Sequence, residues 1–124
     1  DAPLALAGWS FGAAVAVRAA AGDDGLLAIA AIAPPVVARP GVTAGLPAPE
    51  RARLAAPLLT VCGDNDHLVA VEDCLRWARG AGARVVVVEG GNHFFWGRYE
   101  RLTATVADFL DDPFEFDTPA SGIP

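Results

Sequence analysis

The sequence predicts an α/β fold, a parallel sheet of about four strands with helices on both faces. Three observations carry that prediction. Four short apolar runs, Leu4–Ala7, Leu26–Ala33, Leu58–Cys62 and Val85–Val88, lack polar alternation, as strands covered on both faces do. Segments of helical composition or helical periodicity follow three of them. Gly, Pro and Asp punctuate nearly every junction between the two kinds of segment.

The elements follow in order. Leu4–Ala7 is a strand that stops at Gly8, and Phe11–Ala21 is an Ala-rich helix closed by Gly22 and the turn Asp23-Asp24-Gly25. Leu26–Ala33 is too short for an ordinary helix and reads as a strand stopped by Pro34-Pro35. From Pro34 to Pro57 the chain is connection, with a short helix expected over Pro49–Ala55 because Glu50 follows a Pro at a helix start. Leu58–Cys62 is the third strand. After it, Val71, Cys74, Leu75 and Ala78 recur at the spacing of one helix face. Glu72 and Asp73 open that helix, and Arg76 and Arg79 lie near its end, as the helix dipole favours. Val85–Val88 is the clearest strand by β-branched content. Tyr99, Leu102, Val106, Phe109 and Leu110 then mark one face of a last helix, stopped by Asp112-Pro113. The remainder, to Pro124, reads as a loosely ordered tail.

Composition narrows the function classes. With 124 residues, 53% of them apolar, the chain suits one domain with one modest core. Its formal charge is −6, and its basic residues are nine scattered arginines, so no basic stripe exists to track nucleic acid and an anionic membrane is disfavoured. No apolar run approaches the roughly 18 residues of a membrane span. The first residues carry no basic leader or cleavage pattern. The chain does not begin with Met, so a processed or truncated start is expected. Cys62 and Cys74 fall in a strand and a helix, where buried free thiols in a reducing, cytoplasmic setting are expected. The partner these features suit best is a small, neutral or weakly charged molecule.

Three of the four expected strands end in a group able to do chemistry. Gly8-Trp9-Ser10-Phe11-Gly12 follows the first. A Ser on a sharp strand-to-helix turn is pushed out above the sheet, and glycines two positions to either side remove side chains that would clash. The Phe11 N–H, at the helix start, is placed to stabilise a developing oxyanion. A Ser hydroxyl also needs a base. The histidines are His67 and His93, and His93 is favoured because the Gly90-Gly91-Asn92 loop can project it over the sheet, whereas His67 opens the next helix. The base in turn needs an acceptor to fix its tautomer. Asp64 and Asp66 both follow the third strand; Asp66 reaches further, and Asp64 suits a turn that bonds its own backbone.

Gly-Trp-Ser-Phe-Gly-Ala, Gly-Asp-Asn-Asp and Gly-Asn-His-Phe-Phe, in that order, resemble the nucleophile elbow, acid loop and histidine loop of the α/β-hydrolase superfamily. Gly-x-Ser-Phe-Gly-Ala with His-Phe-Phe is similar to a small, lidless bacterial branch of it. The resemblance covers about residues 4–111. It implies a partial α/β-hydrolase domain over residues 1–112 and a tail over 113–124. It also implies a Ser10–Asp66–His93 triad, hydrolysis of ester-like bonds through an acyl-enzyme, and no metal or organic cofactor. Family members begin with further strands and a helix that supply a second oxyanion donor and cover the first strand here, and those are missing. The first strand is thus expected at an exposed apolar edge, in a fragment, an inactive remnant, or a protein that forms a homodimer through that edge. The Pro34–Pro57 connection stands where a lid is inserted, and its shortness implies an open site. Trp9 and Phe94 are candidate substrate-binding residues; with Phe95 and Trp96 they line an acyl pocket or belong to the core.

Two other readings compete. A Gly-rich turn at a helix N-terminus is able to cradle a phosphate, although the chain has neither a Lys nor the Gly-x-Gly-x-x-Gly spacing. A non-catalytic protein would use the exposed edge to pair with another chain.

Overall fold

A computed structural model describes residues 4–48 and 54–116. Its elements run β1 (Leu4–Trp9), α1 (Phe11–Ala20), β2 (Leu26–Ile32), β3 (Leu58–Gly63), α2 (Val71–Ala81), β4 (Arg84–Val88) and α3 (Tyr99–Asp111). The four strands form one sheet in the order β1-β2-β3-β4, and every pairing is parallel. The expected parallel sheet is therefore present, with bounds shifted by a residue or two. Most of the expected helix over Pro49–Ala55 lies outside the described residues.

Period-two alternation divides the core between the two faces. In β2, Ile29 and Ala31 point to the face where Ala13, Ala14 and Val17 of α1 meet Trp77 and Ala78 of α2. Ala28 and Ile32 point the other way, toward Leu102 and Phe109 of α3, together with Leu59 and Val61 of β3 and Val86 and Val88 of β4. Two helices thus cover one face and one covers the other. Ala on both α1 and β2 lets that helix lie close to the sheet. The helix ends agree with their charges: α2 has Glu72 and Asp73 in its first turn and Arg79 in its last. Gly82 then closes it in the left-handed region at φ 71°.

Cys62 and Cys74 are free and buried where β3 meets α2. A hydrogen bond with Cys62, and then burial, push the Cys74 thiol far up, so it packs as a neutral group. At the other end of the chain, part of the expected loose tail is held. Arg84 donates to the carbonyls of Pro113 and Phe114 at 2.7 and 3.0 Å, and Phe116 packs edge-on against Phe109.

Among the described residues β1 pairs only with β2, and its outer edge is open, with Leu4 66% exposed. At the carboxyl ends of β3 and β4 the backbones nearly touch. A Cβ at Gly63 would collide with the carbonyl of Gly91. Gly63→Ala is therefore expected to cost about 1–3 kcal/mol through forced displacement. Gly12→Ala, whose Cβ meets nothing within 4 Å, should be neutral or stabilise by up to about 1 kcal/mol. Urea titration of the two variants checks the contrast.

Candidate active site

Ser10 occupies the single residue between β1 and α1. Its backbone is at φ 57° and ψ −119°, a region a side chain rarely adopts, and this turns the chain sharply from strand to helix. The Ser10 N–H donates to Ile32 O at 2.8 Å, and Ser10 O accepts from the Ala13 N–H at 2.9 Å. Those bonds hold the strained residue between β2 and the first turn of α1. The glycine requirement is one-sided: a Cβ at Gly8 would collide with the Gly12 carbonyl, whereas one at Gly12 meets open space. Phe11 is the first residue of α1, so its N–H has no partner within the helix and points from the same turn as Ser10.

The loop after β4 delivers His93 to this turn. His93 Nε2 lies 2.8 Å from Ser10 Oγ, and His93 Nδ1 lies 2.9 Å from Asp66 Oδ2. The His93 side chain is 8% exposed and that of Asp66 1%, so little water competes for either contact. Asp66 Oδ1 accepts from the N–H groups of Leu68 and Val69, each at 2.8 Å, which fixes the carboxylate plane. An acceptor-only carboxylate accepts a hydrogen bond from Nδ1–H, which keeps the proton on Nδ1 and leaves Nε2 to accept from the Ser10 hydroxyl. The chain thus brings Ser10, Asp66 and His93 together, and places Phe11 beside them.

The other candidates lie elsewhere. His67 is exposed, in the loop before α2 rather than in the helix. Asp64 does not bond its own turn; its Oδ1 accepts from the Gly90 N–H at 2.7 Å and so ties the acid loop to the histidine loop. Asn65 N–H adds a second tie, to Gly91 O at 2.9 Å. A cavity of about 390 Å³ opens on Ser10 and His93, walled by residues of the 35–43 segment and by residues 67–70. Neither Trp9 nor Phe94, the expected substrate-binding residues, lines it. Trp9 turns its indole N–H onto His93 O at 3.0 Å and packs edge-on against Phe95. Phe94 sets its ring edge-on to His93 and stacks on Trp96, and both residues are exposed to solvent. Phe95 alone of these aromatics is fully buried, in the core beneath the loop.

Several positioning residues had little signal in the sequence. Asn92 Oδ1 accepts from the N–H groups of Phe94 and Trp96, at 3.0 and 3.1 Å, and so folds the turn that carries His93. Arg98 Nε donates to Glu89 O at 2.9 Å and braces the same loop from its far end. An Asn two residues before an N–H that needs an acceptor is a recognisable turn signal; the Arg98 contact has none. No group of three metal-ligating side chains comes together among the described residues.

No family model and no curated relative matches the chain. Solved structures do. A candidate α/β hydrolase of unknown function from Agrobacterium tumefaciens aligns with a TM-score of 0.75 at 21% identity, over 90% of this chain and 51% of that one. A lidless serine hydrolase from Xanthomonas campestris aligns with a TM-score of 0.66 at 27% identity, over 94% and 50%. An α/β serine hydrolase homologue from Coxiella burnetii aligns with a TM-score of 0.64 at 31% identity, over 82% and 46%. The chain spans about half the length of these neighbours.

Trp9→Phe keeps a ring against Phe95 but removes the donor to His93 O. It is expected to cost about 1 kcal/mol. It should also broaden the downfield proton resonance of His93 Nδ1–H, which a sharp wild-type signal would make visible by NMR.

Proposed function

We propose that this chain, whose fold is about half of an α/β hydrolase, carries the nucleophile, base and acid of a serine hydrolase acting on ester-like bonds. The observation that carries the reading is the unbroken line from Ser10 Oγ through the His93 ring to Asp66, at 2.8 and 2.9 Å. A buried His between a strained Ser and a buried carboxylate has a ready chemical use and a poor structural one.

The reaction follows from the geometry. Ser10 Oγ attacks the carbonyl carbon of a carboxylic ester or thioester while its proton passes to His93 Nε2. The carbonyl π electrons move to oxygen, and the Phe11 N–H faces that charge. Asp66 accepts from Nδ1–H throughout and offsets the imidazolium charge. When the tetrahedral intermediate collapses, the C–O or C–S bond to the leaving group breaks, and the departing alcohol or thiol takes the proton from Nε2. Water then repeats the sequence on the acyl-enzyme, releases the acid and restores Ser10.

With Phe11 as the one donor assigned to the oxyanion, turnover by this chain alone should fall short of a complete site by roughly 10² to 10³. The buried thiols suit a reducing, cytoplasmic compartment. Among the described residues no helix is long and apolar enough to cross a membrane.

A second reading rests on the open β1 edge: pairing with another chain there, without catalysis. Intact mass after incubation with a fluorophosphonate separates the two. One adduct on the wild type and none on Ser10→Ala is expected. Asp66→Asn should slow labelling by about 10³ to 10⁴. An unlabelled, folded wild type would leave the pairing reading standing.

A further inference from the structure

We propose that the cavity beside Ser10 is the binding site for the acyl group of the ester, that it takes an aliphatic chain, and that Arg39 sets how long that chain can be. The inference deepens the hydrolase reading and rests on it.

The cavity is continuous with the proposed nucleophile, since Ser10, Phe11 and His93 form part of its lining. A group bonded to the reacting carbonyl therefore has a direct way in. Its walls are apolar: Val36, Val37 and Val42 on one side, Leu68 and Val69 on the other. Val37 and Val42 are 50% and 72% exposed, on a chain with ample charge to place there. Exposed apolar side chains gathered around one cavity mark a surface that something apolar covers.

The polar groups in the lining are mostly engaged already. Arg39 Nη1 donates to Leu68 O at 3.0 Å, Thr43 Oγ1 accepts from the Gly45 N–H at 3.1 Å, and Asp73 pairs with Arg76. Exposed His67 and the other N–H groups of Arg39, whose bond is to a neutral carbonyl, remain, so the cavity's polar chemistry is confined to a few groups set in a mostly apolar lining. Its volume, about 390 Å³, lies near the small end of the roughly 300–1,000 Å³ typical of small-molecule sites.

Acyl and leaving groups make opposite demands, and that decides which of them the cavity holds. The acyl group stays on Ser10 through both half-reactions and gains from a sheltered apolar site. The leaving group must reach His93 Nε2 and depart. On its other side the histidine loop is open, with Phe94 and Trp96 46% and 64% exposed, and that is the exit.

Arg39 joins the two walls. It sits in a small hairpin closed by the Arg39–Thr43 bridge, and its bond to Leu68 O ties the hairpin to the acid loop. Arg18 anchors the hairpin's far side, through Gly45 O at 3.1 Å. With the walls tied, the cavity has a fixed reach.

The test compares p-nitrophenyl acetate, butyrate, hexanoate and octanoate, together with phenyl, butyl and hexyl acetates. kcat/KM should rise about fourfold for each acyl methylene that stays inside the cavity, then fall, and should respond weakly to alcohol length. Val37→Asp should collapse the ratio of the best acyl chain to acetate. Arg39→Ala should move the optimum to a longer chain. A readout that needs no turnover runs beside it: hexanamide titrated into ¹³C-methyl-labelled Ser10→Ala chain should shift the Val37 and Val42 methyls, and acetamide should not. Shifted methyls without ester hydrolysis would uphold the cavity and sink the hydrolase reading. Hydrolysis with no acyl-length dependence, or control by alcohol length, with silent valines would overturn the cavity proposal and leave the hydrolase reading intact. Silence in both would overturn the cavity proposal.

Discussion

Every feature of the candidate site depends on the parallel ladder, because it gathers the carboxyl ends of all four strands on one side of the sheet. Ser10 follows β1, Asp66 follows β3 and His93 follows β4. In sequence Ser10 and His93 stand 83 positions apart, yet parallel pairing makes them neighbours across a few loop residues. An antiparallel arrangement of the same strands would send alternate loops to opposite ends. The order β1-β2-β3-β4 also matters, since it leaves the Asp66 loop beside the His93 loop and lets the latter reach back toward Ser10.

Within that frame, close backbone contacts supply the precision. Gly8 meets the first turn of α1, and Gly63 meets Gly91; in both places a Cβ would collide with a carbonyl. The first contact lets the chain reverse at Ser10. The second presses the acid and histidine loops together, and the Asp64–Gly90 and Asn65–Gly91 bonds then lock them. Trp9 closes the remaining side by joining the Ser10 turn to the carbonyl of His93. The histidine loop is thus tied to both of the other functional loops by groups outside the proposed reaction. A site held to hydrogen-bond tolerance needs such support, because a misplacement of about 1 Å can cost a hundredfold in rate.

Much of the site was legible because its chemistry lies next to strong local signals. Ser10 sits between an apolar strand and an Ala-rich helix, flanked by glycines, and His93 follows a β-branched run and a Gly-Gly-Asn turn. Asp66 was separable from Asp64 by reach alone. The roles of Trp9 and Phe94 were not legible. An aromatic beside a catalytic motif suits a substrate wall, a core contact or a brace equally well, and the choice depends on which way the strained loop turns the ring. Ser10 and Phe95 both adopt positive φ, at 57° and 56°, and no residue-level preference predicts that. The cavity walls were equally hidden, since the 35–43 segment has no periodicity and reads simply as connection.

Sequence alone determined the fold class, the order of strands and helices, and which polar residues stand at strand ends. Those properties follow from local periodicity and from the chemistry of single residues, both of which a linear chain displays. Only the tertiary structure decided that the Asp66 carboxylate is sealed from water, that Asp64 ties two loops, that Trp9 braces His93, and that valines from a distant connection wall the cavity. Each of those depends on segments that meet only after the sheet has formed. Burial, and the direction of a hydrogen bond across a loop, are properties of the packed chain rather than of any stretch within it.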